Sequence, residues 1–311
     1  MSTLYVIGNG FDLHHELPTS LVGFREFSKY SAFHRLYENG VFLMLADQSL
    51  DEHWNQLEQN LANFDVDELI EQASQYYDED PHENQFVYEV ETAIDALTTG
   101  LTEALHNYLA EAETQTVKPE SLLRLDTSAL FINFNYTNTL ERIYNVPSDR
   151  ICYIHGKLNS PVGIVVGHGM KQSSVEPRPT IDLTLFSEEE MDAYADTYSP
   201  DYECAILEAH DYFRRNYKDT DACMKASGGF LQSLSDIDNL IILGHSLSEI
   251  DQIYFEHINQ IAGAKCKWWA TCFPSSQKDL MFERLEEIVG DSNRINVLEM
   301  SQLTILSKAQ N

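Results

Sequence analysis

Positive charge is scarce in this sequence: 20 Lys and Arg stand against 50 Asp and Glu in 311 residues, a formal net charge of −30. A surface of that sign repels phosphate backbones, so direct nucleic-acid binding through a basic face is not expected. An anionic small ligand would have to rely on local positive potential from backbone amides, which makes any glycine turn at a helix start informative. Paired cysteine is also missing. The five cysteines, Cys152, Cys204, Cys223, Cys266 and Cys272, include no C-x-x-C pair, which excludes a four-cysteine zinc ribbon and does not resemble a disulfide framework. No uninterrupted apolar stretch is long enough to span a bilayer, so no membrane segment is expected. The opening Met-Ser-Thr leads into a strand with neither a basic stretch nor a long apolar run, so the expectation is no signal peptide and a reducing cytoplasm.

What is present is a series of short apolar runs rich in branched residues and bounded by turn residues. They fall at Leu4–Ile7, Leu130–Asn133, Ile151–Ile154, Ile164–Val166, Leu240–Leu243, Lys267–Thr271 and Ile295–Leu298. Continuous rather than alternating apolarity predicts strands covered on both faces, hence a parallel sheet with crossover helices. Between the first two runs, Trp54, Leu57, Leu61 and Phe64 recur at helical steps, as do Val87, Val90, Ile94, Leu97, Leu101, Leu105 and Leu109. These stripes read as helix-packing surfaces. The acidic run Tyr77–Glu83, with Pro81, separates two helices, and a second helix-rich stretch from about Ile181 to Ser233 is punctuated by Pro177, Pro179, Pro200 and Gly228-Gly229. The predicted fold is a single α/β domain with a Rossmann-like parallel sheet and helical insertions. Its core covers approximately 1–20, 128–170 and 236–300, with insertions at approximately 21–127 and 171–235.

Four strand ends carry polar chemistry. The first is Gly8-Asn9-Gly10-Phe11-Asp12, where alternate glycines let the backbone turn sharply and approach a ligand. Leu13 stands where the dinucleotide fingerprint needs its third glycine, so an ordinary dehydrogenase site is disfavoured. The second is Asn133-Phe134-Asn135-Tyr136-Thr137-Asn138, leading into a helix; capping alone does not need three asparagines. The third is Ile154-His155-Gly156, able to present an imidazole to a cleft, with Gly167-His168-Gly169 repeating the arrangement. The fourth is Gly244-His245-Ser246-Leu247-Ser248-Glu249-Ile250-Asp251, in which either serine can also serve as a helix cap. In an open parallel sheet, strand carboxyl ends are where ligands bind, so the four point to one crevice.

In this order the segments resemble the sirtuin-like (DHS-like) NAD-binding superfamily and, more narrowly, the bacteriophage abortive-infection AbiH family, regarded as its relative. GNGFDLHHELPTS within Leu4–Phe27 matches the AbiH opening, and FNYTNTLERIY, YIHG, GHGM and GHSLSEID match its later signatures. The resemblance covers nearly the whole chain. It implies phage defence and an NAD pocket: the amides of Gly8, Asn9, Gly10 and Phe11 at the pyrophosphate, with Asp12, Tyr136, Thr137, Gly244, His245 and Ser246 around the cofactor. Asn135 and His155 then fall on catalytic positions. The reaction implied is hydrolysis of NAD to nicotinamide and ADP-ribose, with Asn135 positioning water or ribose and His155 accepting a proton.

Departures from the sirtuin pattern narrow this expectation. Asp12 stands where sirtuins usually carry serine, and Thr137 stands where their signature has the aspartate that helps hold the nicotinamide amide. The four-cysteine zinc module is missing, so protein deacylation is not expected. The alternative is a non-catalytic nucleotide sensor or defence-complex subunit, and a third reading is transfer or hydrolysis on another nucleotide. His14, His15, His155, His168 and His245 fit no standard metal spacing, and no metal is expected. A homo-oligomer or a defence partner protein is expected to control activity.

Overall fold

The computed structural model describes residues 2–78, 84–170, 187, 199–235 and 237–302. Pro81, Pro177, Pro179 and nearly all of 181–198 from the expected helical stretch lie outside the described residues. Among the described residues no helix is long and apolar enough to cross a membrane.

Six strands form one sheet: β1 (Thr3–Ile7), β2 (Leu130–Asn133), β3 (Ile151–Tyr153), β4 (Asn239–Leu243), β5 (Lys267–Cys272) and β6 (Ile295–Glu299). All neighbours are parallel, in the order β3-β2-β1-β4-β5-β6. The reason lies in β1 itself. Leu4 and Val6 face one apolar cluster with Ile132, Ile242 and Trp268, while Tyr5 and Ile7 face another with Phe131 and Leu243. Successive side chains point to opposite faces, so a strand apolar at every position needs cover on both. The result is an α/β, Rossmann-like sheet whose order reverses direction between β1 and β4, the switch point where such folds bind ligands.

Six of the seven expected strands are present. Ile164–Val166 is not a strand; Ile164 makes a single antiparallel bridge back to Gly156. Ile164 and Val165 are only half-buried, so this run lacks the two-sided cover that makes a central strand.

The chain divides into two units. The first comprises 1–27, 104–165 and 219–311 and holds the sheet; the second comprises 28–103 and 166–218. The stretches 104–127 and 219–235, expected among the insertions, belong with the sheet. The second unit is helical, with Ala32–Glu38, Val66–Ala73, Phe86–Asp95 and Pro200–Arg215 among its helices. Trp54, Leu57, Leu61 and Phe64 are all buried there, although this stretch breaks into the short helices Leu50–Asn55 and Leu57–Asn60. Ser49 and Glu52 form a reciprocal capping box that starts the first of these.

The acidic excess is unevenly shared. The second unit's sequence holds 28 Asp and Glu against 7 Lys and Arg, net −21, and the sheet unit's 22 against 13, net −9. The strand edges therefore belong to the less repulsive part of the chain for an anionic ligand.

Candidate functional site

The glycine turn is built by close approach to the segment after β4. Gly8 N–H donates to the Leu243 carbonyl at 3.0 Å, Gly10 N–H to the Gly244 carbonyl at 2.8 Å, and Phe11 N–H to the Gly8 carbonyl at 2.9 Å. A Cβ on Gly10 would lie 2.7 Å from Gly244 Cα, so the glycine is required by a backbone neighbour. Gly244 has φ +68°, a left-handed conformation that other residues adopt only with strain. Its N–H donates to Thr271 Oγ1 at 2.9 Å. The two loops thus form a hydrogen-bonded seam directly over the switch point. Asn9 is exposed, and its side-chain amide donates to the Thr19 carbonyl at 2.9 Å.

Asn135 reaches this turn from β2. Its N–H donates to Asn133 Oδ1 at 3.0 Å, which folds the loop back, and its Nδ2 donates to the Gly8 carbonyl at 3.1 Å. The asparagines therefore act mainly as loop builders: Asn138 sits at the helix N-cap position of Thr139–Tyr144 but makes no side-chain cap bond. Tyr136 Oη donates to the Val165 carbonyl at 2.9 Å and shapes the loop after His155.

His155 follows β3 and is 2 % exposed. Its ring meets the edge of Phe134 at 5.4 Å, which places the imidazole beside the Asn133–Asn135 loop. His155 Nε2 lies 3.1 Å from Asp251 Oδ1, and His245 Nε2 lies 3.5 Å from Asp251 Oδ2. Ser248 Oγ donates to the same Oδ2 at 3.0 Å. One buried carboxylate thus sits among two imidazoles and a hydroxyl, walled by the rings of Phe134, Tyr254 and Phe255. Ser246, by contrast, is exposed, and its carbonyl accepts from Arg284 Nη1 at 2.6 Å.

A second polar cluster lies under the helix Asn9–His14. Asp12, 1 % exposed, accepts from Thr137 Oγ1 at 2.6 Å, and Thr139 Oγ1 donates onward to Thr137 at 3.3 Å. Asp12 Oδ1 has no hydrogen-bond partner. Burial pushes the Asp12 carboxyl up to about 6, against the opposing effects of the threonine hydroxyls and Arg142. Nearby, His15 is pushed down to about 4 by burial, held between the Phe11 carbonyl and Tyr144 Oη. Thr137 and Asp12, the two positions where the sirtuin pattern is broken, are thus in direct contact.

The structure brings Gly8, Gly10, Asn135, His155, Gly244 and His245 to the carboxyl edge of one sheet. His168 belongs to the second unit, fully buried among Tyr212, Phe213 and Tyr217. Among the described residues, no three His, Cys, Asp or Glu side chains are grouped as metal ligands. Sequence reasoning missed Asp251. The signal was an acid three residues after Ser248, but a serine followed by acids at a helix start reads equally well as capping.

The sequence model of a family described as Bacteriophage abortive infection AbiH matches residues 4–272. No curated protein and no solved structure matches the chain.

Proposed function

The chain belongs to the bacteriophage abortive infection AbiH family, and we propose that its strand-edge site hydrolyses NAD to nicotinamide and ADP-ribose. Membership supports a role in abortive-infection defence against phage; the NAD chemistry is our own reading. The observation that carries it is convergence: Asn135 is bonded to the glycine turn at Gly8, and His155 lies across Phe134 from it, at the edge of a sheet ordered 3-2-1-4-5-6. Asn135 positions the attacking water or the ribose. His155 takes the proton released as the water oxygen bonds to the ribose carbon and the nicotinamide nitrogen leaves with the bonding pair. Little else is needed, because the departing pyridine is neutral and the developing positive charge sits on the sugar.

Purified protein incubated with NAD, alone and with phage lysate, should release nicotinamide. Asn135→Ala and His155→Ala should each lower that release about 100-fold or more. No release under any of these conditions, or full activity in both variants, overturns the proposal.

A second reading is supported by the seam. The Gly8 and Gly10 amides are occupied by the Leu243 and Gly244 carbonyls, and that of Phe11 by Gly8 within the turn, so a pyrophosphate could take the first two only if the turn parted from Leu243 and Gly244. A nucleotide held along the strand edge without those amides would be bound but not turned over, as by a sensor or a subunit of a defence complex. Tight ADP-ribose binding with no NAD loss selects that reading. A catalytic chain must in turn be silent before infection, so we expect activity to follow self-assembly or a phage-triggered partner. An always-active monomer in sedimentation would contradict this.

A further inference from the structure

The cluster around Asp251 is larger than the proposed reaction requires, and the hydrogen bonds within it assign tautomers. Leu247 N–H donates to His245 Nδ1 at 2.9 Å. That nitrogen therefore carries a lone pair, and the proton of neutral His245 is on Nε2, directed at Asp251 Oδ2. Asp251 Oδ1 faces Nε2 of His155 in the same way. A carboxylate can only accept, so both imidazoles are held with Nε2 as the donor.

The loop that delivers these groups is itself constrained. Leu247 has φ +54°, unusual for a branched residue, and Gly244 precedes it at φ +68°. Such conformations are costly and persist only where the surroundings over-determine them. Here the determinants are the Leu247–His245 bond, the Arg284 bond to the Ser246 carbonyl and the Ser248 bond to Asp251. Stability alone does not call for this arrangement, since apolar side chains of similar volume serve as well as a buried ionic cluster.

We infer that Asp251 is the positioning residue of the site: its carboxylate holds the His155 ring in one orientation and one tautomer through Nε2. His245, tied to the same carboxylate, fixes the direction in which Asp251 points. This rests on the reading of His155 as the base in NAD cleavage, and extends it to a residue that does not touch the substrate. Tyr254 also packs against His155, its ring 5.3 Å away and its hydroxyl raised by burial, with Cys223 and Asp219 behind it. A phenol in that state stays neutral, so it does not take over the role of the Asp251 charge.

Imidazole nitrogen and carbon NMR of the full chain, recorded above the histidine midpoints, reads the tautomers without NAD. His155 and His245 should both appear as Nε2–H forms. In Asp251→Asn the His155 midpoint should fall by about one pH unit or more, because an adjacent negative charge is lost. Nicotinamide release should fall by up to about 10,000-fold, with a changed pH profile, because the ring is no longer held in one tautomer. Nδ1–H His155 in the wild type, or an unshifted midpoint in the variant, overturns the inference. If Asp251→Asn does not fold, the wild-type tautomers decide the matter alone. The expected tautomers and shift with no NAD turnover would leave Asp251 in its role and remove the NAD reading instead.

Discussion

Asp12 and Asp251 are two aspartates of the sheet unit, 1 % and 6 % exposed, and their surroundings treat the same side chain in opposite ways. Asp251 has donors on both oxygens, two of them imidazoles that can share its charge. Asp12 has one hydroxyl on one oxygen, no partner on the other, and a carboxyl pushed up to about 6 by burial. Burial is therefore not what separates a fully partnered carboxylate from an under-partnered one. The difference lies in the number and charge of the donors, because a buried anion needs them to offset lost hydration.

Three substitutions would sharpen or break that contrast. The largest effect is expected from Asp251→Ala, which strips His155 and Ser248 of their acceptor. It should destabilise the fold by about 3–5 kcal/mol in urea unfolding, because each buried donor left without an acceptor costs about 1–3 kcal/mol. Asp12→Asn should act in the other direction. The folded carboxyl is raised above its ordinary 3.8, so the folded state binds more protons than the unfolded one between about pH 4 and pH 6. The stability Asp12 contributes is present below about pH 4 and lost as pH rises through about 6. Above that, the wild type carries a cost of about 3 kcal/mol that asparagine avoids. A stability-against-pH comparison of the two proteins should thus diverge across this window, and a destabilised Asp12→Asn at pH 7 would show the contrast to be false. The smallest effect is expected from Thr137→Val. It should cost about 1 kcal/mol, and the loss should shrink in an Asp12→Asn background when read as a double-mutant cycle.

Most of the sheet is legible in the sequence. Leu4–Ile7 and Leu240–Leu243 are apolar at every position, and a strand covered on both faces explains that pattern. Ile164–Val166 carries the same signature without becoming a strand, because composition does not report whether both faces will be covered. The helical stripe from Val87 to Leu109 is a packing surface in the folded chain as well. Its π turn at Ala96–Gly100, between Phe86–Asp95 and Leu101–Glu113, leaves no mark in the sequence, since an extra residue per turn leaves apolar spacing almost unchanged. At the site, Gly8, Asn135 and His155 could be named because each sits where a strand ends. Asp251 could not, because its partner His155 lies 96 residues away.

Sequence alone determined the elements and their ends: apolar runs set the strands, glycines marked the turns, and polar residues collected at the strand carboxyl termini. These properties are local, arising from side-chain shape, backbone freedom and periodicity along a few residues. Tertiary structure alone decided what those ends do to one another. It placed Gly10 against Gly244 closely enough to seal a seam, gave Asp12 a buried hydroxyl partner, and set Asp251 between two imidazoles. Hydrogen-bond partnership and desolvation depend on distances between segments far apart in the chain, and no local pattern encodes them.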